Sequence, residues 1–151
     1  MESFVGVSLE FGPRRILVRS WRAILHGGSL AFPEFDELPL SVGAEALGAE
    51  VLKRISEFPE PYDAASLRDW SDVAGPDTFP AHGLRSFRQF QRQVRWVDVT
   101  RSNSEVAFRR MVPDGTGHSV EVTQIAEFSD LTPMRASEFV FSARDSIELA
   151  G

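Results

Sequence analysis

Residues 94–128 constrain the fold more tightly than any other stretch. They read VRWVDVTR, SNS, EVAFRRMV, PDGTG and HSVEVTQIAEF in succession. The three longer runs alternate apolar and polar side chains, the period of a strand whose successive residues face opposite ways. In the middle run Val106, Phe108, Arg110 and Val112 share one register. The connections SNS and PDGTG are turn-like and short. A parallel crossover needs about a dozen residues or more, so these strands pair antiparallel as a meander.

The first 25 residues repeat the pattern. FVGVSLE puts Val5, Val7 and Leu9 on one side, and FGP is a turn signal. RRILVRSWRAIL then places Ile16 and Val18 on one face and Leu17, Arg19 and Trp21 on the other, so the pair reads as a hairpin ended by HGGS. Residues 31–40 contain two prolines and read as an extended loop.

Helical signals fill the middle and the end. Ser41 reads as an N-cap with Glu45 in the first turn, and Leu47, Val51, Ile55 and Phe58 form one apolar stripe. Pro59 and Pro61 stop that helix. Asp63 reads as the cap of a short helix running through Leu67 and Trp70 to about Val73, and AGPDTFPAHG as a loop. LRSFRQFQRQ predicts a third helix, with Phe87, Phe90 and Val94 on one face and Arg85, Arg88, Arg92 and Arg95 on another. Thr132 followed by Pro133 is a helix start, with Met134, Phe141 and Ile147 loosely periodic, although EFVFSA also reads as a strand. The order β-β-α-α-α-β-β-β-α predicts an α+β fold, an antiparallel sheet of about five strands with three to four helices packed on it. At 151 residues the expectation is a single domain, residues 1–151.

Composition bounds the function. With 42% hydrophobic and 25% charged residues, the chain has a folding composition. No apolar run approaches the ~20 residues that span a bilayer. MESFVGVSLEFGPRR lacks the build of a signal peptide, and cysteine is absent, so neither disulfides nor thiolate metal sites arise. These features predict a cytoplasmic protein without a membrane partner.

The net charge of −6 is unevenly spread: residues 33–77 hold eleven carboxylates and three basic side chains. Such a block is either a solvated face or a docking surface for a basic partner, since charge of one sign steers association.

Catalytic signatures are weak. His26, His82 and His118 are not spaced as metal ligands. HGGS has no Gly-x-Ser-x-Gly elbow to serve, His118 reads as a solvent-facing hairpin residue, and DGTGHS lacks the Lys-Ser/Thr of a phosphate loop. No carboxylate pair sits in an apolar context that would raise a pKa. The expectation is a protein that is not an enzyme and has no metal and no cofactor. The arginine face of residues 85–95 is the best nucleic-acid signal, but Phe87 and Phe90 point the other way and the chain is acidic, so no nucleic-acid partner is expected.

Three local patterns carry a family resemblance: LPLSVGAEALGAEVLKRIS (38–56), with Leu-Gly one turn into a striped helix; LRDW (67–70); and GLRSFRQFQRQVRWVDVTRSNSEVAFRRMVP (83–113), a Ser-Phe-x-x-Phe helix running into two Val-rich strands. Over about half the chain this arrangement resembles the immunity proteins of bacterial contact-dependent growth inhibition systems. The resemblance implies a non-catalytic protein that binds and neutralises the C-terminal toxin domain, often a nuclease, of a delivered effector. Nucleases carry basic clefts because they grip phosphates, so the acidic block becomes the candidate contact surface. Its predicted toxin-binding residues are Glu34, Phe35, Asp36, Glu37, Glu57, Glu60, Tyr62, Asp63, Asp69, Trp70 and Asp72, with Phe35, Tyr62 and Trp70 as anchors if exposed. Two other readings stand beside it: a generic acidic α+β protein-binding module, and a small-molecule enzyme using His26 or His118.

Overall fold

The alternation along the chain becomes one antiparallel sheet in the computed structural model, which describes residues 3–25, 27–63, 65 and 77–149. The N-terminal hairpin is β1 (Phe4–Phe11) and β2 (Arg15–Ala23), followed by β3 (Ser29–Ala31) and β4 (Asp36–Pro39). The meander is β5 (Arg95–Ser102), β6 (Glu105–Asp114) and β7 (Gly117–Glu127). The sheet order is β3-β2-β1-β5-β6-β7, with β4 also paired to β2. β1 is the hinge of the design: it pairs with β2 on one side and β5 on the other, joining hairpin to meander.

The sheet has seven strands, against the expected five or so. The two additions lie in and beside the stretch read as a loop. β3 and β4 are short and carry no clear alternation. They exist because β2 offers a free edge: Arg22 pairs with Leu30 and Leu17 with Glu37. Pro39 closes β4 at the outer edge, where a missing N–H costs no ladder bond.

One face of the sheet is apolar. Val5, Val7, Leu9 and Phe11 of β1 join Val97, Val99, Val106 and Phe108 there, all buried. Two helices cover this face: α1 (Ala44–Ile55), with Leu47, Val51 and Ile55, and α3 (Pro133–Asp145), with Ala136, Val140 and Ala143. Each fully buried aliphatic side chain contributes about 1.5–3 kcal/mol. Gly48 lets the helices meet, because a Cβ there would lie 1.7 Å from the Pro133 carbonyl oxygen.

Helix ends correct two expectations. α1 is capped by Gly43 rather than starting at Ser41, and no side chain makes the cap bond. EFVFSA is helical: Thr132 Oγ1 accepts from the Arg135 N–H at 3.1 Å, and Pro133 opens α3. The buried stripe of α3 is Ala136, Val140 and Ala143, not Met134, which is exposed. Asp63 behaves as a cap, with Oδ1 accepting from the Ala65 N–H at 3.0 Å, while the rest of that expected helix lies outside the described residues. No described helix is long and apolar enough to cross a membrane.

The opposite face of the sheet carries the remaining alternate positions: Gly6, Ser8 and Glu10 of β1, Arg19 and Trp21 of β2, Trp96 and Asp98 of β5, and Arg109 and Met111 of β6. α2 (Phe87–Gln93) and a 3-10 turn, Pro80–His82, pack over part of it. β7 ends the sheet, with Val120, Val122 and Ile125 exposed along it.

Candidate functional site

The acidic block divides into two groups along β2. Glu34, Phe35, Asp36 and Glu37 lie on β4 or just before it, against residues 15–18 of β2. Glu57, Glu60, Tyr62 and Asp63 follow α1, and Tyr62 bridges to Ile24 beyond the far end of β2. Six residues of strand separate Val18, opposite Asp36, from Ile24, about 20 Å.

The two groups differ electrostatically. Asp36 pairs with Arg54, and Arg15 donates to Glu37 at 3.2 Å. Arg54 also donates to Glu50 at 2.9 Å, so one guanidinium serves two carboxylates. Glu57 and Glu60 are exposed and make no ion pair among the described residues. The aromatic members are half-buried: Arg19 sits over the Phe35 ring at 5.5 Å, and Arg22 over Tyr62 at 4.5 Å and Phe32 at 4.9 Å. Asp69, Trp70 and Asp72 lie outside the described residues, as does His26.

A second arrangement escaped sequence reasoning. On the side of β1 away from α1 and α3, Ser8 Oγ donates to Asp98 Oδ1 at 2.6 Å and accepts from the Trp21 indole N–H. Trp96 Nε1 donates to the same Asp98 oxygen at 2.7 Å. Two residues along β1, Glu10 Oε1 accepts from Thr78 Oγ1 at 2.5 Å and meets His82 Nε2 at 3.0 Å. The strand period makes this possible: Ser8 and Glu10 occupy alternate positions, with Asp98 and Trp96 directly opposite on β5. Burial pushes the Asp98 carboxyl up to about 6; the Ser8 and Trp96 hydrogen bonds oppose the rise, Glu10's charge adds to it, and Arg109 opposes it.

Two adjoining clefts open on this face and share Trp21 and Trp96 as walls. One, of about 150 Å³, is bordered by Ser8, Glu10, Arg19, Asp77, Phe87 and Phe90 among others. The other, of about 330 Å³, runs over Phe4, Gly28, Asp98, Thr100, Arg109 and Met111.

The described histidines correct the sequence reading. His118 is not solvent-facing: it is half-buried, edge-on to Trp96 at 5.0 Å and beside Phe87 and Phe90, and burial lowers its pKa. His82 finds a carboxylate, Glu10, that sequence spacing could not reveal across 72 positions. Its ring is buried against Gly12, where a Cβ would fall 2.3 Å from Nδ1. Among the described residues no three His, Asp or Glu side chains gather as a metal site. Arg88 and Arg92 are exposed on α2 and Arg85 is exposed just before its cap, but Arg95 leaves that face and donates to the Ile147 carbonyl at 3.3 Å.

No protein-family model matches the chain, and no curated protein sequence matches it. Solved structures do. One is a protein of unknown function from Neisseria meningitidis, 16% identical, with a TM-score of 0.62 over 98% of this chain and 96% of that one. Another is a chain of the CdiA-CT/CdiI toxin and immunity complex from Yersinia pseudotuberculosis, 11% identical, with a TM-score of 0.67 over 96% of this chain and 98% of that one. The likeness is therefore one of fold across nearly the whole length of each chain.

Proposed function

We propose that this protein is an immunity protein that binds and neutralises the toxin domain of a contact-dependent growth inhibition effector. The observation that carries the reading is the end-to-end fold likeness to a chain of a CdiA-CT/CdiI toxin and immunity complex. The local patterns at 38–56 and 83–113 point the same way independently. Exposed Val120, Val122 and Ile125 on an edge strand suit protein contact, since soluble monomers rarely leave contiguous apolar rows uncovered.

The reading requires no catalysis. His82, the described histidine in contact with a carboxylate, has a fully buried side chain. Inhibition then follows from surface complementarity. The acidic residues give the partner its charge: Glu34, Glu57 and Glu60 are the exposed carboxylates best placed to meet a basic toxin domain, with Asp36, Glu37 and Asp63 beside them. Asp69, Trp70 and Asp72 extend the same proposed surface in sequence. A close interfacial charge pair couples by about 1.5–7 kcal/mol, whereas a rim charge chiefly alters the on-rate.

Titration calorimetry against the toxin domain encoded beside this gene, at two salt concentrations, tests the reading. Nanomolar binding that weakens with salt is expected. Absence of binding at low salt would remove that toxin as the partner and leave the generic acidic binding module as the better reading.

A further inference from the structure

The face of the sheet away from α1 and α3 carries a charged group that toxin docking does not use. Arg109 stands on β6, with Asp98 opposite it on β5 and Val122 opposite it on β7. Its neighbour Arg110, on the other face, donates to Glu121 at 3.0 Å and to the Ser146 carbonyl at 3.0 Å. Arg109 is half-buried and makes no hydrogen bond or ion pair among the described residues, and its Nε is buried without an acceptor. A buried donor left without a partner is costly, and a guanidinium cannot shed its charge to escape that cost.

The strand neighbours explain why no acceptor reaches it. Asp98 holds Oδ1 toward Ser8 at 2.6 Å and Trp96 at 2.7 Å. Arg109 attracts that carboxyl only from a distance, and burial outweighs the attraction. On β7 a register break leaves Thr123 as an extra residue, and Thr123 Oγ1 donates to the Phe108 carbonyl at 3.1 Å.

The cleft that Arg109 borders sets the shape of a ligand. Its volume of about 330 Å³ reaches the range of small-molecule pockets, about 300–1,000 Å³. Trp21 and Trp96 wall it, and their indole N–H groups donate to Ser8 and Asp98, which fixes both rings. Phe4 and Met111 add apolar surface, and Ser29 and Thr100 add hydroxyls. A guanidinium offers two parallel N–H bonds to a carboxylate. Asp98 borders the same cleft, so a doubly charged phosphate would meet like charge there. Flat apolar walls and one cation without an acceptor suit a singly charged acid with a planar body.

We infer that this cleft binds a small organic acid, its planar body against Trp21 and Trp96 and its carboxylate on the Arg109 guanidinium. The site rests on the cleft and not on the immunity reading, so either can fail alone.

An NMR titration of the intact protein tests this, following the indole N–H signals of Trp21 and Trp96, assigned through Trp21→Phe and Trp96→Phe. The probe is 2-naphthoate; 2-naphthamide has the same body without the charge, and inorganic phosphate is an anion without the body. Saturable shifts with 2-naphthoate, binding of 2-naphthamide weaker by about tenfold, and no saturable shift with phosphate are expected. Arg109→Gln should lower 2-naphthoate to the level of the amide while the spectrum away from the cleft stays in place. Arg109→Lys, which keeps the charge but loses the fork, should fall between. The wild-type protein supplies a second readout that needs no variant. Asp98 faces Ser8 and Glu10 of β1, Trp96 of β5 and Arg109 of β6; Arg19 of β2 borders the adjoining cleft, and His118 stands edge-on to Trp96. Asp98 takes up a proton as pH falls through about 6, and His118 can only add positive charge on the way down. Between pH ~7 and pH ~5 a carboxylate probe stays ionised. Its affinity should therefore rise as pH falls, and that of 2-naphthamide should stay level. No saturable shift with 2-naphthoate, equal affinity for the amide, phosphate binding as tight as 2-naphthoate, an affinity unchanged by pH, or a folded Arg109→Gln that binds as wild type does would overturn the assignment.

Discussion

Asp98 carries a charge that its surroundings disfavour, and this has a sign that can be checked. Its carboxyl titrates at about 6 in the folded protein, against 3.8 ordinarily. Between those values the folded state holds a proton that the unfolded state has lost. Stability therefore falls as pH rises from about 4 to about 6 and stays lowered above that. Asp98→Asn keeps an oxygen for Ser8 and Trp96 but removes the charge. It should be more stable than wild type at pH 8, by about 1–3 kcal/mol, with the gap closing near pH 4. Urea unfolding at both pH values measures this, and a less stable Asp98→Asn at pH 8 would mean that a counter-charge holds the carboxylate. Glu10 behaves oppositely, because its oxygen is needed: Glu10→Ala strands Thr78 Oγ1 and the buried His82 ring. The expected loss is about 1–3 kcal/mol by urea midpoint, with Glu10→Gln retaining most of the stability.

At the scale of elements, the tightest contact is where α1 crosses the start of α3. Gly48→Ala would drive a Cβ into the Pro133 carbonyl, and backbone cannot give way as a side-chain end can. The helix-propensity gain of about 1 kcal/mol does not offset that overlap. A net loss of about 1–3 kcal/mol is predicted, read as a fall in Tm of roughly 2–4 °C per kcal/mol. The Leu-Gly pair was visible in the sequence, but its packing reason was not, since Pro133 lies far along the chain. The same limit explains what else was legible. β1, β2 and the meander announce themselves by alternation, a local signal, as does the α1 stripe Leu47, Val51 and Ile55. β3 and β4 do not, because they are made by the edge of β2 rather than by their own pattern. Ser8, Glu10, Trp21, Trp96 and Asp98 looked like ordinary outward-facing strand residues. Only the register of β1 against β5, and the return of residues 78–82 over that face, turns them into a cleft.

For the whole molecule, the proposed role is binding that neutralises a toxin. Charge placement gives it a graded test. Glu57→Lys with Glu60→Lys removes exposed carboxylates that hold no ion pair among the described residues. This pair should slow association and flatten its salt dependence while leaving unfolding unchanged. Asp36→Lys with Glu37→Lys also removes the β4 carboxylates that Arg54 and Arg15 meet, although Arg54 keeps Glu50, so it should disturb the β4 edge as well as the partner contact. The most direct measurement is protection: growth of cells that express the neighbouring toxin domain, with and without this protein. Growth is expected only when the protein is present, and reduced growth for Glu57→Lys with Glu60→Lys. Death of cells that contain folded, abundant protein would contradict it.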